Sequence, residues 1–172
     1  MMYRFPETDA KWKESVRQRL HQLTQKFQQQ IDEDPSDSSP YNQWAWLVSN
    51  TEGDFQKAIR YSHRSLELNT KGESGEASFL DTLGRCYFAA GDYENAVKNL
   101  ERAIDLKPED PTINDHLGDV LWKVGRKREA TFQWKRALSF GPGDDLDMDR
   151  VRRKLDVGLD AVLSDEKAKN GG

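Results

Sequence analysis

An all-α chain built from stacked helix pairs is predicted by three observations: self-similarity at a period of 34 residues, glycines that recur within helical segments, and apolar residues that return at helical rather than strand spacing. Leu83-Gly84 reappears as Leu117-Gly118, Gly91 as Gly125, Ala96 as Ala130, Ala103-Ile104 as Ala137-Leu138 and Pro108 as Pro142. Chance does not keep five registers at once. With 35% hydrophobic and 33% charged residues, and a mean hydropathy of -0.91, the buried stripe of each helix is narrow and the surface heavily solvated, which suits amphipathic helices better than a covered parallel sheet.

From the N-terminus, residues 1–34 read as one amphipathic helix, capped by Thr8 or Asp9, with Trp12, Val16, Leu20, Leu23, Phe27 and Ile31 on one stripe. Its spacing is nearly heptad, so two roles are open: a cap over the first helix pair, or an intermolecular coiled coil. A linker rich in Ser, Asp and Pro occupies 35–39. Helix pairs follow over 40–69, 77–110 and 111–144.

Within each pair the spacing has a physical reason. Gly84 and Gly118 sit in helices, where glycine costs about 0.5–1 kcal/mol relative to alanine, so their recurrence predicts a close approach by a neighbouring helix. Ala96 and Ala130 open the second helix, Leu100 and Trp134 follow one turn later to fill the gap, and Pro108 and Pro142 end it. The first pair is degenerate. Tyr41, Trp44, Ala45, Phe55 and Ala58 occupy matching places, its turn at Thr51-Glu52-Gly53 is longer by one residue, Ser62 replaces an aromatic, and 70–76 is a joint without the proline.

This pattern resembles the tetratricopeptide repeat, through Leu80, Leu83, Gly84, Tyr87, Ala96, Leu100 and Pro108 in the second copy and Leu117, Gly118, Leu121, Ala130, Trp134 and Pro142 in the third, where Asn114 departs at the large position. The resemblance covers roughly 40–144 and implies a right-handed α-solenoid of three helix-turn-helix repeats with capping helices at both ends. After it, 145–165 reads as the C-terminal capping helix, with Met148, Val151, Leu155, Leu159 and Val162 at helical spacing, and 166–172 as a disordered tail. The basic run Arg150, Arg152, Arg153, Lys154 has acidic flanks and reads as a solvated outer face rather than a phosphate or membrane contact.

Catalysis finds little support in the sequence. It holds no Gly-rich phosphate loop, no nucleophile elbow and no His-x-x-x-His pair, and His21, His63 and His116 fall on separate helices. The single cysteine, Cys86, excludes an internal disulfide, a multi-thiolate zinc site and a Cys-x-x-Cys redox pair; its place beside Tyr87 suggests inert packing rather than a reactive thiolate. We therefore expect no enzyme, no catalytic residue, no metal and no cofactor. A net charge of -4 and a pI near 5.5 argue against nucleic-acid or membrane partners. Met1 to Pro6 has no apolar signal core, which leads to a cytoplasmic expectation. Neither end marks a natural boundary, so a fragment of a longer protein fits equally well.

The resemblance implies that the first helix of each pair lines a concave groove, and that the stripe facing away from the partner helix is open to a protein or peptide. That stripe comprises Asn42, Trp46, Ser49 and Asn50; then Ser78, Asp81, Arg85, Phe88 and Ala89; then Thr112, Asp115, Asp119, Trp122 and Lys123. Some family members grip a C-terminal carboxylate with lysine, asparagine and arginine; here Asp81, Asp115 and Asp119 stand instead, so the expected ligand is a basic and apolar segment. A scaffold of this kind, a monomer or weak homodimer, is the leading expectation. Self-association through the N-terminal helix and service as the targeting appendage of a larger enzyme are the alternatives.

Overall fold

The computed structural model describes residues 10–69, 75–143 and 146–170, with side chains from 13 to 169. Its helices are α1 (Ala10–Glu33), α2 (Ser38–Ser49), α3 (Phe55–Leu68), α4 (Glu76–Ala90), α5 (Tyr93–Leu106), α6 (Pro111–Lys123), α7 (Lys127–Ser139), α8 (Met148–Val157) and α9 (Leu159–Asn170). No strand occurs among the described residues. The side chain of Trp12, the caps expected at Thr8 or Asp9, and the joint at 70–74 lie outside what is described. Aspartate begins five of these helices: the carboxylates of Asp37, Asp54, Asp92, Asp110 and Asp147 each accept a backbone N–H of the first turn. Part of the acidic excess is therefore used to end loops.

The chain forms two compact units, one over Val16–Pro108 and one built on Glu109–Gly172. In the first, α2 pairs with α3 and α4 with α5, while α4 also packs on α2 and α3. Trp44, Ala45, Val48, Ala58 and Cys86 form a core with Phe27 of α1 and with Phe55, Ile59 and Tyr61 of α3. The glycine reasoning holds: a Cβ on Gly84 would lie 2.6 Å from Leu100 Cγ, and one on Gly118 2.5 Å from Trp134 Cδ1. The part of α1 from Val16 onward packs within this unit. Ile31 is buried, and Gln28 Oε1 accepts from Tyr61 Oη at 2.7 Å and from Lys57 Nζ at 3.0 Å.

Cys86 is fully buried and its Sγ lies 3.7 Å from the Ala45 carbonyl. Burial pushes its thiol from 9.0 up to about 12, against a smaller lowering by Ser49. Ellman's reagent is expected to leave the folded thiol unmodified at mildly alkaline pH and to label it promptly in urea; prompt labelling of folded protein contradicts this packing.

The C-terminal part differs from expectation in two respects. The single cap expected over 145–165 is two helices, because Gly158 (φ +84°, ψ 160°) breaks the rod and turns α9 back along α8. Helix α9 also continues to Asn170, through most of the segment expected to be disordered; Arg150 holds Glu166 within that segment (2.8 Å), and Arg153 holds Asp165 just before it (2.6 Å).

Candidate functional site

In the first unit the stripe expected to be open on α2 and α4 is exposed only in part, with Ser49 buried. Trp46 is 43% exposed and Asn50 is exposed. Between α1 and α2, an open cleft of about 350 Å³ is lined by Leu23, Phe27, Asn42, Gln43, Trp46 and Leu47. Its walls are chiefly apolar. The buried Oδ1 of Asn42 makes no hydrogen bond among the described residues. On α4, the Arg85 guanidinium lies 5.2 Å from the Phe88 ring, and its Nη2 reaches Asn50 Oδ1 at a long 3.4 Å. Its Nε is buried and makes no hydrogen bond either. Phe88 packs on Tyr93, with ring centroids 5.5 Å apart. This face thus carries one orphaned acceptor, one orphaned donor and an exposed indole.

The carboxylates do not face a ligand, which corrects the expectation for Asp81, Asp115 and Asp119. Asp81 is buried. Asp115 and Asp119 are 6% and 2% exposed because α8 lies over them. Lys154, 1% exposed, donates to both oxygens of Asp115 (2.7 and 2.8 Å) and to Asp119 Oδ1 (2.6 Å). Trp134 Nε1 donates to the same Asp119 oxygen at 3.0 Å. Arg150 stands 3.7 Å from Asp119 Oδ2. The basic run on α8 is thus not a uniformly solvated face: Lys154 and Arg150 turn inward while Arg152 pairs outside with Asp149. Burial, and then the charge of Asp119, raise the Asp115 carboxyl above its usual range against the pull of Lys154. Burial acts to lower the Arg150 guanidinium, but the bond to Glu166 and the charges of Asp119, Glu166 and Asp115 outweigh it and hold the guanidinium charged.

The same correction extends to Trp122 and Lys123. Trp122 Nε1 donates to Asp160 of α9 at 2.8 Å, Lys123 pairs with the same carboxylate, and Lys127 stands 3.6 Å from the Trp122 ring centre. Those bonds, Lys123's first and Trp122's second, hold the Asp160 carboxyl below its usual range. Gly158 passes so near Trp122 that an added Cβ would lie 2.5 Å from Cζ2. A signal for this arrangement is present in the sequence, since Lys154 lies three residues after the apolar Val151 and so shares its inward face. Among the described residues, no group of three or more His, Cys, Asp or Glu is placed to hold a metal, and no helix is long and apolar enough to cross a membrane.

Helix hairpins keyed by small residues define an all-α solenoid of helical repeats, a class of protein-interaction scaffold. A family model described as TPR repeat matches residues 84–125. The matched segment carries repeats of the tetratricopeptide type. It is similar to the photosystem I assembly protein Ycf3 of Synechococcus sp. strain CC9902, 25% identical over 118 residues, which cover 60% of this chain and 67% of that one. It is also similar to the cytochrome c-type biogenesis protein CycH of Bradyrhizobium diazoefficiens, 30% identical over 128 residues, covering 73% of this chain but only 33% of the relative. Among solved structures, the fold matches that of MamA with a TM-score of 0.61 at 17% identity, over 96% of this chain and 99% of MamA.

Proposed function

We propose that the chain is a non-enzymatic interaction module of an assembly factor, and that it holds an extended apolar segment of a partner protein against α2 and α4. The observation that carries this reading is the open, chiefly apolar cleft beside the exposed Trp46, together with the half-buried Arg85 on α4. An apolar side chain of the partner fills the cleft, and a carbonyl or carboxylate pairs with the guanidinium of Arg85. The basic preference expected from Asp81, Asp115 and Asp119 gives way to this neutral one, because those carboxylates are buried and Lys154 already neutralises two of them. The names of the two relatives, an assembly and a biogenesis protein, support the assembly role. The use of Phe27, Gln28 and Ile31 of α1 within its own unit supports the reading of α1 as a cap rather than a self-association helix.

A displayed peptide library selected on the full chain tests the site. Selected peptides should be rich in apolar residues and should lose about tenfold or more in affinity on Trp46→Ala or Arg85→Ala, changes at solvent-accessible positions. Peptides whose binding ignores both substitutions would place the working surface elsewhere.

A further inference from the structure

The outward side of α7 is unlike the rest of this acidic chain. Ala130, Trp134 and Ala137 face inward and are fully buried, which turns Arg128, Phe132, Lys135 and Arg136 to the opposite side of the helix. Phe132 is 56% exposed and Phe140, two turns on, 38%. The Arg136 guanidinium lies between them, 5.8 Å from one ring and 5.2 Å from the other. Arg128 and Lys135 are exposed on the same side. Glu129, the acid of this helix, is already held by Arg126, whose bond keeps the Glu129 carboxyl below its usual range. Two phenyl rings that bracket one guanidinium on a single helix, with Arg128 and Lys135 exposed beside them, are a surface that water solvates poorly and an acidic apolar ligand covers well.

We infer that this face of α7 is a second docking surface, for an acidic amphipathic protein segment that lays apolar side chains on Phe132 and Phe140 and carboxylates on Arg128 and Lys135. It belongs to the other unit from α2 and α4 and does not depend on the reading of that face. A protein segment is favoured over an anionic bilayer or a nucleic acid by the shape and charge of the site. The apolar stripe is one helix wide, which a single segment covers, and the net charge of -4 offers extended polyanions no general attraction, while the local cations act on a short acidic segment within a Debye length of about 8–10 Å.

Three probes and two variants decide it. The probes are a fluorescein-labelled helical peptide with leucines at alternating three- and four-residue spacing and glutamates between them, the same peptide with lysines for the glutamates, and vesicles of equal phosphatidylserine and phosphatidylcholine. The variants of the full chain are Phe132→Ser and the double change Arg128→Glu with Lys135→Glu, all at exposed positions where folding is checked by circular dichroism. The acidic peptide should bind, its affinity should fall about tenfold in either variant and with added salt, and the basic peptide should bind at least about tenfold more weakly. The proposal is overturned if the acidic peptide does not bind, if its binding ignores both variants, or if only the vesicles are held and the variants release them.

Discussion

Lys154→Met is expected to destabilise the C-terminal unit by about 3–5 kcal/mol at neutral pH, because it leaves the carboxylates of Asp115 and Asp119 buried without the ammonium between them. The loss should shrink in acid. Asp115 already titrates above 3.8 through burial and the charge of Asp119, and removing Lys154 removes a cause that opposes them. The native state then binds a proton at a pH where the unfolded chain does not, so stability is regained as pH falls through the raised native value toward 3.8. Urea unfolding followed by tryptophan emission at neutral and mildly acidic pH measures this. Adding Asp115→Asn to the variant should recover part of the loss, since one fewer charge is stranded. An equal deficit at every pH would contradict the assignment. Hydrogen exchange on α8 and α9 reports whether the unit unfolds as a whole or whether these helices lift from α6 first.

Gly158→Ala is expected to cost on the order of 3 kcal/mol, also in the C-terminal unit. Two penalties combine. The φ of +84° with ψ of 160° is a conformation that is nearly glycine's alone, and the new methyl would lie 2.5 Å from Cζ2 of Trp122, whose indole is held by Asp160 and faces Trp134 with ring centroids 5.3 Å apart. The predicted result is faster hydrogen exchange in α9 and a shifted Trp122 signal, with α2 to α5 unchanged. A variant as stable as the parent would mean that the elbow between α8 and α9 adjusts without strain.

Both predictions concern the region where sequence reasoning went furthest astray, and the reason is physical. The repeat was legible because small residues act locally: Gly84 with Leu100, and Gly118 with Trp134, are contacts within one hairpin, so their spacing is a fixed property of the chain. The partners of Asp115 and Asp119 were not legible in the same way. Lys154 lies 39 and 35 residues further on, across a linker that does not determine how α8 crosses α6. Read with its sequence neighbours, Lys154 is one of a basic run between acids. Read with Val151, it is an inward position.

Gly158 was passed over for the opposite reason. Val151, Leu155, Leu159 and Val162 keep helical spacing through it, so periodicity alone continues the helix, although an isolated glycine there was a signal of a break. The exposed pair Phe132 and Phe140 was overlooked because the repeat pattern draws attention to Trp134 between them, and nothing in periodicity separates a ring that packs from one left in water.

By itself, then, the sequence determined the all-helical class, the hairpin unit and the inward residues of each pair, since all of these depend on residue type and on separations of a few turns. Only the tertiary structure decided which charges are available to a partner. Whether a carboxylate recognises a ligand or is buried under Lys154 depends on what covers it, and a cover brought from more than thirty residues away is set by packing rather than by spacing.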